Sequence, residues 1–303
     1  MNSPFKIILS VLVLFLSVNL VSAQEKLDRE FMLDDLRKLS HDAAEGRQTG
    51  TKGAQAARNY ISKSFNITNL KKYNKGYLHN FTFQNRNGES VEGINIIGYV
   101  KGDIDSTIVI TAHYDHLGIR DSVVYNGADD NASGVAALLA IMDYVKQYKP
   151  GHTMIFAALD AEEMGLQGAK ALLKDKEIPV ENIVLNINMD MISRNNKNEL
   201  HIAGTAQNPE LKPIIEKIPT DMIRFKFGHD TKDLGKDDWT NASDHGPFHQ
   251  AGIPFLYFGV EDHEDYHKPT DTYENVSKPF YAKVSNLILE VLLELDKELD
   301  SND

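Results

Sequence analysis

The chain contains no cysteine in 303 residues. That excludes a disulfide framework, a thiolate metal site and a lipid-carrying N-terminal cysteine, so core packing, and metal if any, must hold the fold. Cations are also scarce: 32 Lys and Arg stand against 44 Asp and Glu, a formal net charge of −12. A protein whose main partner is a phosphate backbone concentrates Lys and Arg, so no nucleic acid partner is expected. Long apolar runs are nearly absent. The one clear run, Ile7 to Leu20, is 14 residues, short of the roughly 20 that span a bilayer.

That run has Lys6 before it and the small residues Val21-Ser22-Ala23 after it, the layout of a cleaved secretory signal. The reading is a signal peptide over residues 1–23 with cleavage before Gln24, then one domain over 24–303. It implies a secreted or periplasmic protein with no stable membrane anchor after cleavage. A secreted chain of this size without cysteine suits a bacterial periplasm or exterior better than a eukaryotic secretory route. With 42% apolar and 25% charged residues the mature chain can bury a large core. It carries no repeat and no low-complexity linker.

Apolar periodicity places helices over Leu27 to Leu39 and Ala54 to Phe65. Strands are expected over Tyr77 to Phe83, Gly93 to Val100 and Thr107 to Thr111. Helical and strand patterns then alternate: helix Val135 to Tyr148, strand Thr153 to Leu159, helix Gln167 to Leu173, strand Ile183 to Met189. Phe255 to Phe258 adds a buried strand and Pro279 to Leu299 a closing amphipathic helix. The alternation predicts an α/β fold, a single domain with a mixed, centrally parallel β-sheet flanked by helices. The segment Asn195 to Trp239 carries no motif that can be decoded.

Ligands of open α/β sheets bind beyond the carboxyl ends of strands, and polar motifs stand there. His113-Tyr114-Asp115-His116 follows the strand from Thr107, and Gly127-Ala128-Asp129-Asp130-Asn131-Ala132-Ser133-Gly134 leads into a helix. Asp160-Ala161-Glu162-Glu163 follows Leu159, Asp190 follows Met189, and Asp265-Tyr266-His267 lies past the last strand. Each has an ordinary structural explanation alone, as a satisfied histidine, an N-cap or a dipole-facing glutamate. Together, histidines and carboxylates on one rim are the ligand types of Zn²⁺ or a similar divalent ion.

In this order the motifs resemble the co-catalytic di-zinc aminopeptidases, metallopeptidase family twenty-eight, whose relatives include glutamate carboxypeptidase, glutaminyl cyclase and transferrin receptor. Glu45-Gly46-Arg47-Gln48-Thr49-Gly50-Thr51-Lys52-Gly53 and Ser243-Asp244-His245 extend the likeness over the mature chain. The resemblance implies a fold of the zinc exopeptidase, phosphorylase/hydrolase-like type and two divalent ions, taken as zinc. It makes Asp130 the bridging carboxylate, with His113 and Asp190 on one ion and Glu163 and His267 on the other. It assigns Glu162 as general base, Asp115 as the residue that orients His113, and Tyr266 as a donor to the oxyanion. It also implies a cis peptide after Asp130. His116 matches no ligand position and is expected in a supporting or surface role. His245 is expected to support the pocket wall, and His249 and His263 to face solvent.

The implied activity is hydrolysis of N-terminal residues from peptides with a free N-terminus. Rival readings are a one-zinc glutaminyl cyclase on the same scaffold, a carboxypeptidase or amidohydrolase, and a metal-free binding protein. The full ligand set weighs against the first and last. The 77-residue step from Asp190 to His267 is short for the inserted dimerisation domain of the related amidohydrolases. Arg120, Arg194 and Lys268 are the cations near the motifs that could serve a substrate carboxylate.

Overall fold

The chain enters the fold through two capped helices. In the computed structural model, which describes residues 25–73 and 75–299, Asp28 accepts the N–H of Phe31 to start α1 (Arg29–Leu39) and Thr51 accepts that of Ala54 to start α2 (Lys52–Thr68). Side-chain oxygens at these positions satisfy N–H groups that a helix start otherwise leaves open. The predicted signal segment 1–23 lies outside the described residues.

A hairpin follows, β1 (Leu78–Gln84) and β2 (Ser90–Val100), then β3 (Thr107–His113) and a small hairpin of β4 (Gly118–Arg120) and β5 (Val123–Tyr125). After it come α3 (Gly134–Tyr148), β6 (Thr153–Leu159), α4 (Gln167–Leu172) and β7 (Ile183–Met189). The rest comprises β8 (Glu199–Ala203), α5 (Leu211–Ile215), β9 (Arg224–Phe227), α6 (His245–Gln250), β10 (Phe255–Gly259) and α7 (Lys278–Glu298).

Eight strands form one sheet in the order β1-β2-β6-β3-β7-β10-β8-β9. The central four, β6, β3, β7 and β10, are parallel, while β2 and β8 join them antiparallel. The sheet is therefore mixed with a parallel centre, in one domain, as the alternation predicts. Every residue of β3 and β6 is buried, as expected where helices cover both faces of a parallel sheet. Alternate residues divide between the two layers: Ile108, Ile110 and Ala112 join the larger core with α1, α2, α3 and α7, while Val109 packs with residues of α4 and α6. On α3, ten residues from Gly134 to Val145 are buried, so this helix runs through the core and not along its surface.

Register fixes the rim. His113 pairs with Leu159, Thr111 with Asn188, and Phe258 with Met189, so β3, β6, β7 and β10 all end at one edge. Strands β8 and β9 and the β4–β5 hairpin were not expected from the sequence. They are three to five residues long, and β9, Arg-Phe-Lys-Phe, lies at the sheet edge with two exposed cations.

Candidate metal centre at the sheet edge

Two of the side chains gather because their strands stop together. His113 closes β3, Asp190 follows β7, and the His113 Nε2 lies 3.2 Å from Asp190 Oδ1 and 3.3 Å from Asp130 Oδ1. Its Nδ1 donates to the backbone carbonyl of Asp115 at 3.1 Å, which leaves Nε2 as the nitrogen facing the carboxylates. Asp130 sits in the loop from Gly127 to Gly134. Gly127 has φ of 55°, and a Cβ there would collide with the Asp130 carbonyl, so glycine is required where the loop folds back on itself.

Several bonds hold that loop. The Asp271 carboxylate accepts the N–H groups of Asp129 at 2.9 Å and Asp130 at 3.1 Å. Asn131 accepts the Gly134 N–H at 2.9 Å and donates to Met189 O at 2.9 Å, starting α3 and tying it to the end of β7. The Asp130–Asn131 peptide is cis. Asp129 points away from the cluster and accepts from Ser193 N, Ser193 Oγ and His263 Nε2 at 2.7, 2.8 and 2.9 Å. His263 is thus half-buried against Asp129, contrary to the solvent-facing position expected of it. His249 is likewise only half exposed, edge-on to Phe255.

The other oxygen of Asp130 serves a second group. Asp130 Oδ2 lies 3.0 Å from His267 Nε2, which is also 3.4 Å from Glu163 Oε1. His116, expected to stand outside the ligand set, has its Nδ1 2.9 Å from Glu163 Oε1 and 3.6 Å from Asp130 Oδ2. It is buried, so the surface alternative is excluded. His113, Asp130 and Asp190 form one group and His116, Asp130 and Glu163 another, the donor atoms of each lying within 4.8 Å of one another. These are nitrogen and oxygen donors without sulfur, a set that fits a divalent ion of the zinc type.

Charges in the cluster act on one another. Burial works against the charged form of His113, but Asp190 and Glu162 outweigh it and raise its pKa well above the usual value. Burial would raise Asp130, yet His116, His113 and His267 hold it well below the ordinary carboxylate range. Glu162 goes the other way: burial pushes its pKa up, and His113 offsets this only in part.

Asp115 makes a contact the sequence did not suggest. Its carboxylate lies 3.7 Å from His113 Nδ1, while the closer contacts are the N–H groups of Glu162 at 3.0 Å and Glu163 at 3.3 Å. The backbone carbonyl of Asp115, at 3.1 Å, and its carboxylate, at 3.7 Å, both lie against His113 Nδ1. Tyr266 stacks on His267 with ring centres 4.0 Å apart. Ser243 accepts from Asn188, and the ring of His245 donates to the Trp239 carbonyl at 2.7 Å. Burial lowers His245 to about 4 and raises Asp244 to about 8; the cavity lining in this stretch is Asn241 and Ala242, just before the triplet.

Glu162, Glu163, Asp130, Asp190, Tyr266 and His267 face one open cavity of about 470 Å³, large enough for a residue or two. Trp239, Tyr257, Asp262, Arg86 and Lys170 are also part of its lining. Of the three cations named from sequence, Arg194 is bonded to Asp265 and Glu264 and Lys268 to the Glu264 carbonyl. Arg120 lies over the Tyr125 ring.

Aminopeptidase YwaD of Bacillus subtilis is 28% identical over 225 residues, covering 71% of this chain and 46% of its own. The chain spans about half the length of this curated relative and of others that it matches. The structure of BSAP, a zinc aminopeptidase from Bacillus subtilis, superposes with a TM-score of 0.72 at 17% identity, over 88% of this chain and 95% of that one. Porphyromonas gingivalis glutaminyl cyclase gives a TM-score of 0.72 at 16% identity, over 88% and 98%. These two likenesses carry the fold alone. The profile of Peptidase family M28 matches residues 95–292, from β2 through most of α7 and across every donor of the cluster. The chain belongs to Peptidase family M28.

Proposed function

We propose that this protein is a zinc-dependent aminopeptidase that removes N-terminal residues from peptides, and that it works outside the cytoplasm after loss of residues 1–23. One observation carries the enzymatic reading. The two carboxylate oxygens of Asp130 face two separate donor groups on the floor of a cavity that Glu162 also lines.

His113, Asp130 and Asp190 would hold one ion, and Asp130, Glu163 and His267 the other. When bound, such a pair lowers the pKa of a water molecule and polarises the scissile carbonyl. Glu162, set beside Glu163 by the Asp115 carboxylate, takes the proton of the attacking water and returns it to the leaving amine. Its buried setting favours the protonated form that this transfer produces. The Tyr266 hydroxyl, on a ring braced against His267, is the candidate donor to the oxyanion.

The amino-end direction is supported by the carboxylates of the lining. Asp262 belongs to neither donor group and faces the cavity, leaving a carboxylate for a substrate ammonium. The cations Arg86 and Lys170 are the groups a carboxypeptidase would use. The name of the relative YwaD also supports the aminopeptidase reading.

A panel of aminoacyl anilides tests it. Free-amine substrates should be cleaved and their N-acetyl forms left intact, with close to two ions per chain by metal analysis. Release of C-terminal residues from N-blocked dipeptides at similar rates would overturn the direction. A single tightly held ion with cyclisation of N-terminal glutamine would favour the cyclase.

A further inference from the structure

We propose that His201, His229 and Glu261 form a further binding site for a divalent transition ion, behind the Trp239 wall of the cavity and separate from the Asp130 cluster. The three residues come from neighbouring backbones. His201 is on β8, paired with Gly259 of β10, and Glu261 follows two residues after that glycine. His229 lies just past the end of β9, which pairs with β8 on its other side. One donor atom from each of the three lies within 4.8 Å of the other two.

His201 points to a ligand. It is 3% exposed, and neither ring nitrogen has a hydrogen-bond partner among the described residues. A buried imidazole with both nitrogens unmatched is costly, and native interiors rarely leave such groups unsatisfied.

His229 is arranged independently. Its Nδ1 donates to the Asp237 carbonyl at 2.9 Å, which leaves Nε2 as the nitrogen turned to the cluster. That is the partner pattern of metal-bound histidines, whose second nitrogen is tied to a carbonyl or carboxylate. Nε2 faces Glu261 Oε1 at 3.9 Å, while Lys197 approaches the other oxygen, Oε2, at 3.8 Å. One carboxylate oxygen therefore stays on the histidine side. Two imidazoles and a carboxylate with an open fourth position fit zinc, cobalt or nickel, and lack the oxygen-rich shell that calcium or magnesium takes.

The place in the fold gives the site a consequence. The indole of Trp239 stacks on His229 with centres 3.8 Å apart and planes 7° apart, and meets Tyr257 edge-on at 5.7 Å. Both Trp239 and Tyr257 line the cavity, and the Tyr257 hydroxyl donates to the Asp190 carbonyl at 3.2 Å. An ion on His229 would brace the wall that a substrate side chain meets.

Trp239 is the sole tryptophan of the chain, so its emission reports the site. The full chain, stripped by a chelator, is titrated with Co²⁺ alone, whose open d shell quenches an indole in contact with its ligand. Because Trp239 also faces the Asp130 cavity, Asp130→Ala is compared with Asp130→Ala/Glu261→Gln. The first should keep a saturable quench, and the second should shift its midpoint upward by at least about 10-fold, the smallest loss that even an outer partner's removal causes. Glu261 is half exposed, so its replacement spares the core. Should the Asp130 variant not fold, the same comparison is made between wild type and Glu261→Gln, with His229→Gln as a third arm. Absence of a saturable quench, or a midpoint unmoved by Glu261→Gln and His229→Gln, would overturn the site. Neither result bears on peptide cleavage, which the anilide panel decides separately.

Discussion

The Asp115 carboxylate accepts the backbone N–H of Glu162 at 3.0 Å. A charged acceptor on a backbone donor is among the stronger hydrogen bonds, and the next N–H, that of Glu163, falls on the same carboxylate at 3.3 Å. Asp115 thereby aligns the turn that presents both glutamates to the cavity. Asp115→Asn keeps the size but turns an amide N–H₂ toward one of these donors. On the proposed chemistry, kcat should fall about 10–100-fold with KM little changed. Steady-state kinetics at fixed metal content would reveal an effect confined to KM, which would remove the positioning role.

The two glutamates should separate cleanly. Glu162→Gln removes the proposed base while leaving the donor groups intact, so metal content should stay near wild type and kcat drop at least about 10²–10⁴-fold. Glu163→Ala removes a donor shared by His116 and His267 and should lose metal. Equal metal loss in both variants would show that the roles are misassigned.

Much of the site was legible because strands announce themselves. The β-branched, apolar runs of β6 and β7 have the boundaries read from sequence, and so Asp190 and the Glu162–Glu163 pair could be placed at strand ends. The unread parts depend on long-range geometry. Asp271, which anchors the Asp130 loop, sits 141 residues further along the chain, with no local pattern to connect them. His263 lies in an acidic stretch, Glu261 to Asp265, that reads as solvent-facing until Asp129 is brought against it. His116 matches no ligand position of the resembled family, and only the turn after β3 aims its ring at Glu163. The cluster of His201, His229 and Glu261 needed β8 and β9, both too short and too polar to stand out.

His116 can be tested directly. With Nδ1 2.9 Å from Glu163, it either contributes a nitrogen to the second group or fixes the carboxylate that does. Both roles predict that His116→Ala weakens retention of the more labile ion by about 10–100-fold while the ion on His113 and Asp190 is kept. Chelator competition resolves the two sites. Unchanged affinity at both would return His116 to a packing role.

Far from the cavity, Asp35 on α1 should make stability fall as pH rises. Its side chain is buried with one oxygen unpartnered, and burial raises its pKa from 3.8 to about 6 even though the Tyr60 hydroxyl donates to the other oxygen. The folded state thus holds the proton more tightly than the unfolded chain. This contribution is complete below pH 3.8 and lost by the time pH has passed 6, a change of roughly 3 kcal/mol at 1.36 kcal/mol per pH unit. Asp35→Asn cannot titrate. Its stability relative to wild type, from urea unfolding of metal-loaded protein, should rise by roughly that amount between pH 4 and pH 8. A difference independent of pH would place the Asp35 pKa at its ordinary value.

Arg47 supplies the last test, because it is buried without a carboxylate touching it. Nε donates to Tyr114 O at 2.7 Å, Nη1 to Leu39 O and Asn126 O at 2.6 Å each, and Nη2 to Gly127 O at 2.8 Å. Burial lowers its pKa to about 10, with the carboxylates of Asp130 and Asp271 acting in the opposite direction, so it stays charged at neutral pH. One guanidinium therefore joins the end of α1 to the turn after His113 and to the start of the Asp130 loop. Arg47→Met would take the guanidinium from four carbonyls, of which Gly127 O keeps the Ala132 N–H at 3.1 Å and the other three lose their donor. At about 1–3 kcal/mol for each buried group left unsatisfied, and less than additive, the loss should be at least about 3 kcal/mol. Arg47→Lys should recover only part of it, since an ammonium cannot match the planar fork. Because Tyr114 and Gly127 flank the donors His113 and Asp130, metal affinity should fall in parallel with stability. Denaturant unfolding beside metal competition on both variants gives the answer, and an unchanged midpoint in Arg47→Met would mean that those carbonyls find other partners.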